Sequence, residues 1–192
     1  VPRLNDYAWR LWDYWERHLD PDLFIDRSLR GHVRDKTVVV TGASSGIGHA
    51  VAMMMARAGA RVILVARGVE KLAETLEEIT NMGGRAWTYP CDVSDLDACD
   101  QLIDKIVEDH GEIDVLVNNA GRSIRRSISL SYDRFHDFER TMQLNYFGCL
   151  RLILRTLPGM AARRTGQVIN ISSIGVLTNS PRFSMSAALA WP

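Results

Sequence analysis

The stretch best equipped for chemistry is TGASSGIG, Thr41 to Gly48, set between the β-branched run TVVVT and the helical pattern GHAVAMMMARAG. In that setting Gly42 permits a tight turn, Gly46 lets backbone come close to a pyrophosphate, and Gly48 lets a helix pack on a strand. The amides around Ser44, Ser45, Gly46 and Ile47 would open a helix, where unbonded N–H groups attract anionic oxygens. An isolated glycine motif is often only a turn. The strand, loop and helix flanking this one are the context a dinucleotide-phosphate cradle requires.

A second chemical signal lies about 20 residues further on, where a fold selecting NAD places a carboxylate for the ribose hydroxyls. The run RVILVA ends there on Arg67. A guanidinium can meet a 2′-phosphate through paired, charge-assisted hydrogen bonds, so NADP(H) is the expected coenzyme and NAD the alternative. Ser45 supplies no second cation to that phosphate.

The elements that must position these groups follow from periodicity. TVVVT (37–41), RVILVA (61–66), RAWTYP (85–90), IDVLVN (113–118) and QVINIS (167–172) read as buried strands. Between them, GHAVAMMMARAG, EKLAETLEEITNMG, LDACDQLIDKIVEDHG and the long stretch from Tyr132 to Arg164 carry apolar residues at helical spacing. This alternation specifies an α/β, Rossmann-type doubly wound parallel sheet covered on both faces. A complete dinucleotide-binding sheet has about six strands, so carboxyl-terminal strands are expected to be missing.

Residues 34–192 are assigned to this incomplete NAD(P)-binding domain and residues 1–33 to an amphipathic helix and linker. In the latter Trp9, Trp12, Trp15 and Leu19 share one helical face, and Pro21 ends the helix. That face is expected to pack on this domain or a neighbouring one, with a membrane surface or partner helix as the alternative.

Composition excludes several classes. The 192 residues are 46% hydrophobic and carry 23 basic and 23 acidic side chains, so no net field draws the chain to nucleic acid. Cys91, Cys99 and Cys149 are odd in number and lack metal-ligand spacing, as do the five histidines, so reduced thiols and no metal are expected. No run has the length of a membrane span and no signal peptide opens the chain, so a cytoplasmic protein is expected. A first residue Val1 in place of Met suggests a piece of a longer protein.

Four further motifs stand in order: CDVSD at 91–95, NNAG at 118–121, LNYFG at 144–148 and NISSIG at 170–175. With the glycine loop, they make the chain resemble the short-chain dehydrogenase/reductase family from Lys36 to about Ser184. The resemblance implies that Asp92 bonds the adenine amine with Val93 beside it. It further implies that Asn118 braces the sheet near the adenosine, and that Asn119, Ala120 and Gly121 border the coenzyme. Asn145 is implied to hold a proton-relay water and Ser173 to hydrogen-bond the substrate carbonyl. The implied reaction is hydride transfer between a nicotinamide and a carbonyl or alcohol carbon of a small molecule.

In the family a tyrosine thirteen positions after that serine moves the proton, helped by a lysine four residues later. Ser186 and Ala190 stand there, no tyrosine follows Tyr146 and no lysine follows Lys105. The aliphatic hydroxyl of Ser186 is a poor substitute, and the neighbouring cation, Arg182, reads as a solvated loop residue. Truncation or a frame change before Tyr-x-x-x-Lys is the favoured account. A short form that binds nucleotide without catalysis is the alternative.

The segment WDYWERHLDPDLFIDRSLRG is similar to the opening of the carboxyl-terminal reductase domain of two-domain fatty acyl-CoA reductases. This implies a fatty aldehyde or acyl-CoA substrate and an upstream reductase domain, with a homo-oligomer as another association. RSIRRS at 122–127 is expected to be a solvated, mobile loop, the alternative being attraction of an acyl-CoA phosphate.

Overall fold

Three consecutive valines mark the centre of the sheet. Val38, Val39 and Val40 are fully buried in β1 (Thr37–Thr41), because helices cover both faces of the strand and every side chain then points into a core. The structure, a computed structural model, describes residues 29–124 and 126–173. The predicted amphipathic helix that Pro21 ends, and Arg182, Ser186 and Ala190, lie outside the described residues.

The remaining strands are β2 (Arg61–Ala66), β3 (Arg85–Pro90), β4 (Val115–Asn118) and β5 (Gln167–Asn170). Their order is β3-β2-β1-β4-β5, and all four pairings are parallel. The expected Rossmann-type architecture is therefore present. Burial departs from the sequence expectation at two of the five strands. β3 and β5 border the described sheet, each has a strand neighbour on one side only, and both leave side chains exposed.

Alternation along β1 and β2 divides the core in two. Val38, Val40, Val62 and Leu64 pack with Ala52 and Ala56 of α1 (Gly46–Arg57) and with Leu72 and Ile79 of α2 (Val69–Asn81). Val39, Ile63, Val65 and Leu116 pack on the opposite face with Ile103 and Ile106 of α3 (Leu96–His110). The small alanines of α1 let that helix approach the sheet closely. A core Leu64→Ala change would cost about 2–5 kcal/mol through lost burial and the cavity left behind.

The stretch from Tyr132 to Arg164 is divided where one helical pattern was expected. It comprises α4 (Phe135–Met142), a π-helical turn (Gln143–Gly148) and α5 (Cys149–Arg163). The wide turn lies against the loop after β3. A Cβ on Gly148 would meet the Val93 carbonyl at 2.0 Å, and Gln143 Nε2 donates to the Ser94 carbonyl at 2.9 Å. Such π turns relieve a helix that must accommodate a neighbour within its own ladder.

Candidate functional site

The carboxyl ends of β1, β2, β3 and β4 open onto one crevice of about 710 Å3. It lies where the connections leaving β1 and β4 diverge across the sheet, the position at which parallel α/β folds present ligand sites. Gly42, Ser44, Ser45 and Ile47 come from the loop after β1, and Arg67 from the end of β2. Asp92 and Val93 come from the loop after β3, and Asn119, Ala120 and Gly121 from the loop after β4. Of the residues predicted to contact coenzyme, Gly46 and Gly48 alone fall outside the lining.

The structure gives both of those glycines a reason. Gly46 has φ +56°, in the left-handed region that favours glycine, and turns the chain into α1 with open space around its Cα. Gly48 faces inward. A Cβ there would lie 2.2 Å from the Gly42 carbonyl oxygen and 2.4 Å from Asn119 Nδ2.

Thr41, which the sequence reading left without a role, joins two walls of the crevice. Its buried hydroxyl accepts from the amides of Asn119 and Ala120, both at 2.9 Å, and donates to the Val117 carbonyl at 3.3 Å. Asn119 Nδ2 returns a hydrogen bond to the Thr41 carbonyl at 2.9 Å. Asn118, expected to brace the sheet, donates from Nδ2 to Asn170 Oδ1 at 3.0 Å and so ties β4 to β5.

The amino end of α1 is open to an anion. Ser45 occupies the N-cap without a side-chain hydrogen bond, and the first turn carries no acidic residue. The contrast is α3, whose cap Asp95 accepts from the amides of Asp97 and Ala98, each at 3.0 Å. Ile47, 62% exposed, lies beside the open α1 terminus.

At the other wall Arg67 Nη1 is 3.7 Å from Asp92 Oδ2, with the Arg67 side chain 74% exposed. Partial burial pushes the Asp92 carboxyl up. The Ser94 hydroxyl and amide, at 2.7 and 3.0 Å, outweigh it together with Arg67, leaving Asp92 below the ordinary carboxylate range and ionised at neutral pH. The second cation that Ser45 does not supply is Lys71, on the first turn of α2, which also lines the crevice.

The two predicted catalytic residues lie outside the crevice lining. Asn145 is in the π-helical turn and binds the Arg122 backbone twice, donating to its carbonyl and accepting from its amide, both at 2.8 Å. Ser173 follows β5 and is exposed. The loop after β4 also departs from the solvated stretch expected. Arg126 is partly buried, and its Nη1 meets Asp137 Oδ2 at 2.7 Å, where Arg134 Nε also arrives at 2.8 Å. Among the described residues no helix is long and apolar enough to cross a membrane.

The family profile for short chain dehydrogenase matches residues 36–188. A fatty acyl-CoA reductase of Acinetobacter baylyi is 54% identical over 85% of this chain and 56% of its own length. A fatty acyl-CoA reductase of Mycobacterium tuberculosis is 45% identical over 87% of this chain and 58% of its own. The chain thus spans about half the length of the curated relatives it matches. Among solved structures, a metagenomic short-chain oxidoreductase in complex with NADP superposes with a TM-score of 0.78 at 34% identity, covering 83% of this chain and 72% of that one. An NAD+-bound xylitol dehydrogenase superposes with a TM-score of 0.77 at 27% identity, covering 82% and 60%. Carrying the glycine loop, the parallel sheet and this match over most of its length, the chain belongs to the short chain dehydrogenase family.

Proposed function

We propose that this chain binds NADP(H) in the crevice and serves hydride transfer between the nicotinamide and a carbonyl or alcohol carbon. The observation that carries this reading is the uncapped amino terminus of α1 facing a crevice whose far wall holds Arg67 and Lys71. Residues of this kind fit a coenzyme with a diphosphate and a 2′-phosphate. The first-turn amides would hold the diphosphate, and the two cations the 2′-phosphate.

Asp92, ionised and aimed by Ser94, would accept from the adenine amine beside Val93. Asn119, Ala120 and Gly121 would border the ribose, with Thr41 holding their backbone in place. Asn145 spends one N–H and one lone pair on Arg122 and keeps one of each for a water. Ser173 would bond the substrate carbonyl. The bound coenzyme supplies the hydride chemistry itself. The names of the two relatives support a fatty aldehyde or acyl-CoA as the substrate, and the NADP complex supports the coenzyme.

Fluorescence titration of the reduced coenzymes tests the reading. NADPH should bind about tenfold more tightly than NADH, the value of one charge-assisted contact. Equal binding would overturn the phosphate assignment, and no binding of either would overturn the whole. The presence of Ser186 and Ala190 favours a second reading, coenzyme binding without turnover. NADPH would then protect the protein against heat but not be oxidised by a long-chain aldehyde.

A further inference from the structure

A second cavity of about 530 Å3 adjoins the crevice, sharing Arg67, Asp92, Gly121 and Leu144 with it and adding Ser94, Arg122 and Arg140. Three guanidinium groups and one carboxylate leave it strongly positive. Many other arginines are committed elsewhere. Arg126 and Arg134 meet Asp137, Arg151 meets Asp100, Arg155 meets Asp104, and Arg163 meets Asp114. Among the described residues Arg122 and Arg140 make no ion pair, and both side chains are exposed beside this cavity.

The walls are also held in place. Asn145 clamps the backbone of Arg122 from both sides, and the Asp137 pairs secure the loop after β4 to α4, which carries Arg140. Gln143 ties the π-helical turn to Ser94, which in turn holds Asp92. Two unpaired guanidinium groups suit phosphate oxygens, which a guanidinium meets bidentately, and the cross-linked backbone leaves only the two side chains to be ordered on binding.

We propose that Arg122 and Arg140, with Arg67 at their border, form a subsite for the phosphate groups of a ligand distinct from the coenzyme. Such phosphates could belong to a nucleotide-bearing carrier or be free, and the chemistry recognised is the same. The proposal rests on the coenzyme reading only for the word distinct.

Calorimetry on the full chain saturated with NADPH should detect inorganic pyrophosphate, and adenosine 3′,5′-bisphosphate in a parallel titration. The double variant Arg122→Gln/Arg140→Gln should weaken either ligand about tenfold or more while leaving the NADPH dissociation constant within about twofold. Tighter binding of the bisphosphate would identify a nucleotide carrier, and tighter binding of pyrophosphate a free phosphate. Unchanged pyrophosphate and bisphosphate affinities in the double variant would overturn the proposal. So would a loss of NADPH over NADH preference, because the phosphate would then be the coenzyme's own. If wild-type protein binds neither coenzyme, the same titrations without NADPH still decide this subsite, and the coenzyme reading alone fails.

Discussion

Gly48 packs against Gly42 so tightly that a side chain at Gly48 would place its Cβ 2.2 Å from the Gly42 carbonyl oxygen. The nearest obstruction is the Gly42 backbone, which cannot swing aside as the Asn119 side chain at 2.4 Å can. Gly48→Ala should destabilise the fold by about 1–3 kcal/mol, as other overpacked sites do, and weaken NADPH by tilting α1 away from β1. Gly68→Ala is the control, since nothing lies within 4 Å of its added Cβ. Thermal unfolding should separate the two, with Gly68→Ala within about 0.5 kcal/mol of wild type.

The Thr41 hydroxyl should matter more than its size suggests. Thr41→Val keeps the shape but strands the Asn119 and Ala120 amides that the oxygen now accepts. A cost of about 2 kcal/mol or more is expected in chemical denaturation. Thr41→Ser, which retains the acceptor, should recover most of it.

Coenzyme preference should divide between two cations. Arg67→Gln and Lys71→Gln should each lower the NADPH to NADH affinity ratio, by up to about tenfold, through NADPH alone. A ratio unmoved by both would mean that the 2′-phosphate sits elsewhere. The effect should shrink as salt rises, because both side chains reach solvent-open space.

Asp137 should confer acid-sensitive stability. The guanidinium groups of Arg126 and Arg134 pull its carboxyl from an ordinary 3.8 down to about 2. A folded-state value below the unfolded one stabilises the protein fully above the ordinary value, and the stabilisation is lost as pH falls through about 2. Asp137→Asn should therefore lower the Tm at neutral pH, and its Tm should vary less than that of wild type between about pH 4 and 2. A parallel decline in the two proteins would exclude this ion pair as the source.

Much of the site was legible because its signals are local. The glycine loop and Arg67 announce themselves by type and spacing, Asp92 and the NNAG turn through the family resemblance, and all stand at strand ends, where parallel α/β sheets present ligand sites. Lys71 and Thr41 were missed for different reasons. Lys71 matters only because α2 starts at the rim of the crevice. The value of Thr41 lies in amides that are close in space but 78 and 79 residues away in sequence.

The amino-acid sequence by itself determined the alternation of strands and helices, since β-branched runs and helical periodicity are local patterns, but not the π-helical turn within Tyr132 to Arg164. It also determined where the chain turns from β1 into α1, since Gly42 and Gly46 take φ +67° and +56°, a region that glycine enters at little cost. Only the tertiary structure decided which arginines are free to act. RSIRRS reads as uniform positive charge, yet Arg126 is spent on Asp137 while Arg122 faces a cavity. Charge pairing depends on distances across elements that periodicity does not specify, so only the packed fold could separate anchor from binding group.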